Sequence, residues 1–281
     1  MANNEIIGVL IILINCIFSY KGFTDRTFFE KYKFEIEKLT LDKDYKVLIT
    51  SGFLHVDWLH LLFNMLSLYA FSGPIEIIFG SGTYLLIYFA SLIGGNLLAL
   101  YIHRHHSDYS AVGASGAVSG IIFASIALFP GIEIGMFGIP AHIPGWIYGV
   151  VYILYSMYGV KSKRDNIGHE AHLGGALIGM LTAVMLYPES IKSNYLPVLL
   201  ILTPSLVFIY LIITKPHFLL IDNFYFKTHK KYYSVDHKYN EEKVDRQKEI
   251  DRLLDKISKS GIEGLTSAER KRLEEYSKLM K

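Results

Sequence analysis

Two short segments place a serine and a histidine at the starts of apolar stretches. The first is Gly113-Ala114-Ser115-Gly116, and the second is Ala171-His172-Leu173-Gly174-Gly175, whose histidine follows the serine by 57 residues. A serine hydroxyl becomes a nucleophile when an imidazole nitrogen accepts its proton through a hydrogen bond. The two segments therefore predict a pair of Ser115 and His172, provided that the two stretches are helices in close contact.

Glycines at helical spacing favour that contact. Gly116 and Gly120 lie four residues apart, as do Gly175 and Gly179. Small residues at this spacing share one helix face and let two backbones approach closely in a membrane. His172 lies one turn before Gly175, on the same face. Alone, the serine segment is more typical of helix packing and His172 of a buried, hydrogen-bonded histidine, but the combination favours a catalytic pair.

The backbone around Ser115 is also suited to catalysis by this serine. Gly113 permits a turn that a residue with a side chain resists, and the N–H of Ser115 has no helical acceptor at a helix start. No carboxylate is placed to orient His172, because Glu170 is two residues away and on another helix face. The sequence therefore predicts a dyad of serine and histidine without a third member.

Another apolar stretch carries further polar side chains. His60 and Asn64 are four residues apart and share one helix face, with His55 just before the stretch and Glu76 near its far end. Ionisable residues inside a membrane helix are costly, so each is a candidate for function. N–H donors at one membrane surface can stabilise an oxyanion, and the alternative is a hydrogen bond that holds two helices together.

Two histidine clusters raise the alternative of a metal site. The run His169-Glu170-Ala171-His172 is one residue short of the zinc-binding pattern His-Glu-x-x-His, and no further ligands accompany it. The run from His103 to Asp108 also contains His105 and His106, although a polar loop at the membrane surface is the more common explanation for such a run. No metal is therefore expected.

The composition is that of a membrane protein. Of the 281 residues, 51% are hydrophobic and 19% are charged, against about 25% charged in a typical soluble domain. Most charges lie in residues 21–46 and after residue 215, and the stretches between can cross a hydrocarbon core of roughly 30 Å. The net charge of +2 argues against a nucleic-acid partner. Because Cys16 is the only cysteine, no intrachain disulfide can form.

The hydropathy pattern predicts an all-α, polytopic membrane bundle. Seven spans are expected at roughly 5–20, 57–79, 83–102, 115–129, 145–160, 169–187 and 195–214. The first lacks the basic flank and cleavage site of a signal peptide and is expected to be retained. Residues 21–46 mix charges with aromatic side chains, which favours an amphipathic segment in the membrane interface over a solvated connector. Residues 131–144 are expected to form an apolar loop.

Three parts are expected along the chain. Residues 1–190 are the predicted membrane core, with the catalytic spans within 57–187, and residues 191–215 are an additional transmembrane helix. Residues 216–281 are a soluble tail. Thr266 and Glu269 have the spacing of a capping box there, and an apolar stripe from Ile250 to Ile257 precedes Gly261, so the tail is predicted to form a small helical hairpin.

Together, these segments resemble the rhomboid intramembrane serine proteases. The resemblance covers about residues 45–187 and implies a rhomboid-like core of six helices. It rests on His55-x4-His60-x3-Asn64, Glu76 with Phe79-Gly80, Gly113-Ala114-Ser115-Gly116 and His172-x2-Gly175-x3-Gly179. The tail resembles the short helical extensions of rhomboids of the Bacteroidetes-like type.

The resemblance implies a role for each site residue. Ser115 would be the nucleophile and His172 the general base of a serine endopeptidase acting inside the membrane. His60, Asn64 and the Ser115 N–H would form the oxyanion hole, and Glu76 would belong to a structural network far from the chemistry. The supporting residues would be His55, Gly113, Gly116 and Gly175. No metal or organic cofactor is required.

The resemblance also implies partners and a location. The substrates would be transmembrane segments of membrane proteins in a lipid bilayer, in the bacterial inner (cell) membrane. The span at 145–160, with the loop before it, resembles the lateral gate through which a substrate helix reaches the site. One position departs from the family: an aromatic residue commonly packs on the histidine from four positions after the serine, and Ser119 stands there. His172 then either rests on another side chain or is held more loosely.

Two other functions are open at this point. A rhomboid-like pseudoprotease would bind membrane clients without cutting them, although such a scaffold has no need for Ser115, His172, His60 and Asn64 together. A membrane transporter would use His55, His60 and His172 in a proton or solute pathway. The broken spans in two related halves that are typical of many transporters are not evident in the sequence.

Overall fold

The computed structural model describes residues 6–106, 109–136, 139–162 and 167–215, together with residues 252, 253, 256, 257, 265, 266 and 269 of the tail. The chain divides into two compact units, Met1–Thr228 and His229–Lys281. The first unit is a bundle of helices, which confirms the all-α, polytopic fold class. Most of the predicted tail hairpin lies outside the described residues.

The helices of the first unit lie close to the predicted spans. In chain order the elements are α1 (Ile6–Thr24), α2 (Arg26–Tyr32), β1 (Phe34–Glu35), α3 (Ile36–Thr40), α4 (Val47–Thr50), α5 (Trp58–Phe79), α6 (Ser81–His103), β2 (Ser110–Ala111), α7 (Ser115–Leu128), β3 (Glu133–Met136), β4 (Ile139–Pro144), α8 (Gly145–Ser162), α9 (His169–Leu186) and α10 (Glu189–Thr214). Among the described residues, α1, α5, α6 and α10 are long and apolar enough to cross a membrane.

Helix α7 lies at the centre of the bundle. Its residues from Gly116 to Leu128 are all buried, and it packs against α6 and α9, which also contact each other. Its 14 residues span roughly 21 Å at 1.5 Å per residue, less than the helices around it. The small side chains of α7 let these neighbours approach it closely.

Glu76 joins the far end of α5 to the start of α1. Its carboxylate accepts hydrogen bonds from the backbone N–H groups of Ile7 and Gly8, both at 2.9 Å, and from Ser81 Oγ at 2.8 Å. The two N–H groups lie in the first turn of α1, where helical acceptors are missing. Glu76 is 16 residues from His60, or roughly 24 Å along the helix, so this network is distant from the histidine.

The charged segment before α5 is folded against the bundle. Phe34, Ile36 and Leu39 are buried and form a small core with side chains from α4 and α6. Strand β1 pairs with β2 in antiparallel register, with Phe34 opposite Ala111, which ties the segment to the loop before Ser115. The alternative of a solvated connector is therefore wrong, and a location in the membrane interface stays a prediction.

The loop predicted at 131–144 contains a β-hairpin, which is a correction. Strands β3 and β4 pair in antiparallel register with Ile134 opposite Ile143. Ile134 is buried, whereas Glu133 and Gly135 on either side are exposed, an alternation typical of a strand with one buried face. Pairing also satisfies backbone N–H and C=O groups that an irregular apolar loop would leave without partners.

Helix α10 begins six residues before the predicted seventh span and bends at Asn194. Asn194 has non-helical torsion angles (φ −134°, ψ 25°), three residues before Pro197, whose missing N–H and ring disfavour a regular helix there. The Asn194 side chain donates hydrogen bonds to the backbone carbonyls of Ile126 and Ala127. The bend thus joins α10 to the C-terminal end of α7.

In the second unit, Thr266 and Glu269 form the predicted capping box. The Thr266 N–H donates to Glu269 Oε2 at 2.9 Å, and the Glu269 N–H donates to Thr266 Oγ1 at 3.3 Å. Lys256 pairs with the same carboxylate at 2.8 Å. The hydrogen bond from Lys256, followed by those from Thr266, lowers the pKa of the Glu269 carboxyl to about 2.

Candidate active site

The predicted serine and histidine are in contact. His172 Nε2 lies 2.6 Å from Ser115 Oγ. Ser115 is the first residue of α7, and His172 lies in the first turn of α9, where its N–H donates to the carbonyl of Gly168 at 3.0 Å. The two side chains therefore meet where both helices begin.

Contacts between glycines hold α7 and α9 close enough for that hydrogen bond. A Cβ atom on Gly175 would overlap the backbone carbonyl of Gly116, and one on Gly179 would overlap the backbone of Gly120. The two helices therefore touch along their backbones, as the four-residue spacing predicts. Gly116 directly follows the serine and Gly175 lies one turn after His172, so the contact also sets the separation of the two side chains.

His60 lies beside the backbone turn that leads into α7. Gly113 has a φ of 130°, which favours glycine. A Cβ atom on Gly113 would lie 2.7 Å from His60 Cε1 and 3.7 Å from Ser115 Oγ. The first turn of α5 is fixed by Asp57, whose carboxylate accepts from the His60 N–H at 2.7 Å. The turn thus brings His60 and Ser115 to one place, and a side chain at Gly113 would occupy the space between them.

Asn64 lies one turn after His60 on the same face of α5, as the sequence predicts. It is buried, and its Nδ2 donates to the backbone carbonyl of His60 at 2.9 Å. This hydrogen bond fixes the orientation of the amide. Since an amide nitrogen carries two N–H groups, the bond uses one of the two donors.

His55 is fully buried and links α1 to the loop that carries the serine. Its Nε2 accepts a hydrogen bond from the Ala114 N–H at 3.4 Å, so the proton of the neutral ring is on Nδ1. Nδ1 donates to Ser19 Oγ at 2.8 Å, which donates to the carbonyl of Phe53 at 3.0 Å. Burial, followed by the proximity of His60, lowers the pKa of His55 to about 3. The sequence indicated His55 only as a supporting residue, because no spacing signals its contact with Ala114.

The polar residues near the end of α6 form a structural pair. His103 Nε2 lies 3.0 Å from Glu170 Oε1, and both side chains are buried. The His103 ring stacks on Tyr109 with 3.7 Å between the ring centroids. The polar loop predicted for this run therefore does not include His103, which is buried and is the last residue of α6. Within the described ranges, which leave out Ser107 and Asp108, no three His, Cys, Asp or Glu side chains are grouped to hold a metal ion.

An aromatic side chain that no spacing in the sequence indicates lies beside His172. The ring of Tyr152 on α8 lies at 24° to the imidazole, with 6.2 Å between the ring centroids. Its hydroxyl lies 2.5 Å from Oγ of Ser119, the residue four positions after Ser115. The chain contains 20 tyrosines, and only the packing of α8 distinguishes Tyr152 from the others.

Residues 42–189 match the rhomboid domain, a range that covers more than half of the chain. The chain belongs to the rhomboid family. The matched range of this rhomboid contains α5 to α9 and therefore both residues of the pair Ser115 and His172, whereas α1 and nearly all of α10 lie outside it.

Several curated rhomboid proteins are similar to this region. Rhomboid protein 1, mitochondrial, of Saccharomyces cerevisiae is 29% identical over 157 residues, which are 53% of this chain and 45% of that protein. Rhomboid protease AarA of Providencia stuartii is 28% identical over 207 residues, 66% of this chain and 73% of that protein. The putative rhomboid protease YdcA of Bacillus subtilis is 39% identical over 140 residues, 49% of this chain and 65% of that protein. The chain spans less than half the length of the yeast relative.

The tail of this rhomboid matches a second family. Residues 233–279 are similar to a family of unknown function, DUF6576. The match includes the capping box of Thr266 and Glu269, and it falls within the second compact unit. The likeness of the tail to extensions of the Bacteroidetes-like type stays a prediction.

Proposed function

We propose that this rhomboid is an intramembrane serine endopeptidase that cleaves transmembrane segments of other membrane proteins. The observation that carries the proposal is the distance of 2.6 Å between His172 Nε2 and Ser115 Oγ, which is that of a nucleophile and its base. The similarity to AarA of Providencia stuartii and GluP of Bacillus subtilis, which are named as rhomboid proteases, supports a peptidase.

In the proposed mechanism, Ser115 and His172 act in two half-reactions. Ser115 Oγ bonds to the scissile carbonyl carbon while His172 Nε2 takes the hydroxyl proton, and the carbonyl electron pair moves to oxygen. The tetrahedral oxyanion collapses, the C–N bond breaks, and His172 gives its proton to the leaving nitrogen. In the second half-reaction, water gives a proton to His172 and attacks the acyl carbon. The ester C–O bond then breaks, and His172 returns the proton to Ser115 Oγ. Neither half-reaction requires a metal or an organic cofactor.

We assign the stabilisation of the oxyanion to His60, Asn64 and the backbone N–H of Ser115. The proximity of His60 to the turn at Gly113 supports this assignment, as does the position of Asn64 one turn further along α5. Donors aimed at the developing negative charge stabilise the transition state more than the substrate. Loss of one such donor costs about 10²–10³ in kcat in other serine proteases.

We place the route of the substrate helix beside α8. The outward side chains of α8 are apolar and exposed, among them Val151, Leu154 and Tyr158, as expected for a surface in contact with lipid or with another membrane helix. The protein is a multi-pass membrane protein. Its matched relatives come from bacteria and from mitochondria and chloroplasts, so the bacterial inner (cell) membrane stays a prediction.

The proposal is tested with the full chain in proteoliposomes that contain a transmembrane substrate. The wild-type protein should release two fragments, and Ser115→Ala and His172→Ala should release none. Ser193→Ala is the matched control, because Ser193 is exposed on α10 and should keep the wild-type rate. Cleavage by Ser115→Ala at the wild-type rate would reject the assignment. Wild-type protein that binds the substrate without cutting it would favour a pseudoprotease.

A further inference from the structure

We propose that Tyr152 is a positioning residue for His172, so that the orientation of the general base depends on where α8 lies. The inference rests on the proposed function, because it assigns a task to the base of the dyad. It goes beyond the dyad because Tyr152 belongs to an outer helix that contributes no reacting atom.

Several contacts border the imidazole of His172. The hydrogen bond from Ser115 holds Nε2 at 2.6 Å, and the ring of His169 lies 6.2 Å away between centroids. The Tyr152 ring lies beside the imidazole, with 6.2 Å between the centroids and 24° between the planes, within the range of offset aromatic pairs. Through this contact, Tyr152 opposes a tilt of the imidazole about its hydrogen bond to Ser115.

Tyr152 is itself held by a chain of hydrogen bonds that ends at the serine. Ser119 Oγ donates to the backbone carbonyl of Ser115 at 2.7 Å. Because a serine hydroxyl has one proton, the Tyr152 hydroxyl must be the donor to Ser119 Oγ in the 2.5 Å contact. The Tyr152 ring also lies 5.4 Å from the ring of Phe123 on α7. Tyr152 is thus fixed to the helix of Ser115 although it belongs to α8.

Helix α8 packs on both α7 and α9, and on α9 it meets His169, whose ring a Cβ atom on Gly159 would overlap. Helices α7 and α9 touch each other through glycine backbones, such as Gly175 against Gly116, and α8 takes no part in that contact. A shift of α8 away from both helices therefore removes Tyr152 from His172, while the glycine contact between α7 and α9 remains. Catalysis is then most efficient when α8 is packed against α7.

The experiment compares variants of the full chain in proteoliposomes by kcat, KM and the pH dependence of kcat. Tyr152→Leu removes the ring and should lower kcat about tenfold, which is the effect of one aromatic pair. KM should be unchanged, and the acid limb of the pH dependence of kcat should be displaced. Tyr152→Phe keeps the ring but loses the hydrogen bond to Ser119, and should therefore lower kcat only about two- to fivefold. Tyr210→Leu makes the same change at an exposed position of α10 and should match the wild type.

A wild-type kcat and pH profile in Tyr152→Leu would overturn the inference, and so would an equal loss in Tyr210→Leu. If Tyr152→Leu does not fold, the Ser119→Ala variant tests the inference instead. It removes the acceptor of the tyrosine hydroxyl and should lower kcat about two- to fivefold in the wild type, and by a smaller factor in Tyr152→Phe, which already lacks that hydrogen bond. Equal effects in both backgrounds would contradict the inference. Cleavage by Ser115→Ala would instead reject the proposed function. If Ser115→Ala is inactive and Tyr152→Leu has the wild-type kcat, only the role of Tyr152 is rejected.

Discussion

Gly175 on α9 lies directly against the backbone carbonyl of Gly116 on α7. Gly116 is the residue after Ser115, and Gly175 is one turn after His172. The separation of the reactive side chains is therefore set by a contact between two residues that have no side chains. The site depends on this close approach as much as on the serine and the histidine.

The first prediction concerns that contact. Gly175→Ala should lower the cleavage rate about 10²-fold, because a misplacement of roughly 1 Å is enough for such a loss and the new Cβ atom would push α9 away from Gly116. The rate is measured in proteoliposomes. Met185→Ala, at an exposed position of α9, serves as the control. Wild-type activity in Gly175→Ala would show that the helices need not touch there.

The second prediction concerns the turn before α7. Gly113→Ala should destabilise the protein by about 1–3 kcal/mol, the usual cost of an unfavourable backbone conformation, and should also reduce cleavage because the methyl group meets His60. Thermal unfolding in detergent and the cleavage rate are the two measurements. Gly82→Ala is the control, since open space surrounds that glycine. A Gly113→Ala protein with unchanged stability and rate would contradict the account of the turn.

The third prediction separates stability from chemistry. Glu76→Gln should lower the unfolding temperature, because hydrogen bonds to a charged group contribute about 1.5–3 kcal/mol and the carboxylate caps the N–H groups of Ile7 and Gly8. The folded fraction should keep the wild-type kcat, since Glu76 lies far from His60. A fall in kcat with unchanged unfolding temperature would assign Glu76 to the reaction instead.

The fourth prediction concerns pH. The pKa of His55 is about 3 in the folded protein and 6.5 for an exposed histidine, so folding favours the neutral ring. This contribution to stability is complete above pH 6.5 and is lost as the pH falls towards 3. The unfolding temperature of the wild type should therefore drop between pH 6.5 and pH 4. His55→Gln should be less stable than the wild type at pH 7.5, and its unfolding temperature should drop less between pH 6.5 and pH 4. An identical drop in both proteins would contradict the prediction.

Local patterns were sufficient to predict much of the fold and part of the site. Apolar stretches of sufficient length identified the helices, and the four-residue spacings of the glycines identified the faces where α7 and α9 touch. The positions of His60 and Asn64 on one face follow from the same periodicity. These features depend on neighbours along one helix, which is information that the sequence contains directly.

Other features depend on contacts between distant segments and were missed. Tyr152 reaches His172 only because of the way α8 packs, and His55 meets Ala114 only because α1 and the loop after β2 enclose it. The sequence does not predict the hairpin at 133–144, because its short strands contain glycine and proline, which usually indicate a loop. In each case the tertiary structure decides among many equivalent residues.

Whether Ser115 is the nucleophile is tested by locating the covalent adduct of a serine-reactive fluorophosphonate by mass spectrometry of the full chain. We expect a single adduct on Ser115, formed about 10²-fold or more slowly in His172→Ala, because the base no longer accepts the hydroxyl proton. An adduct on another residue, or equally fast labelling in His172→Ala, would contradict this expectation.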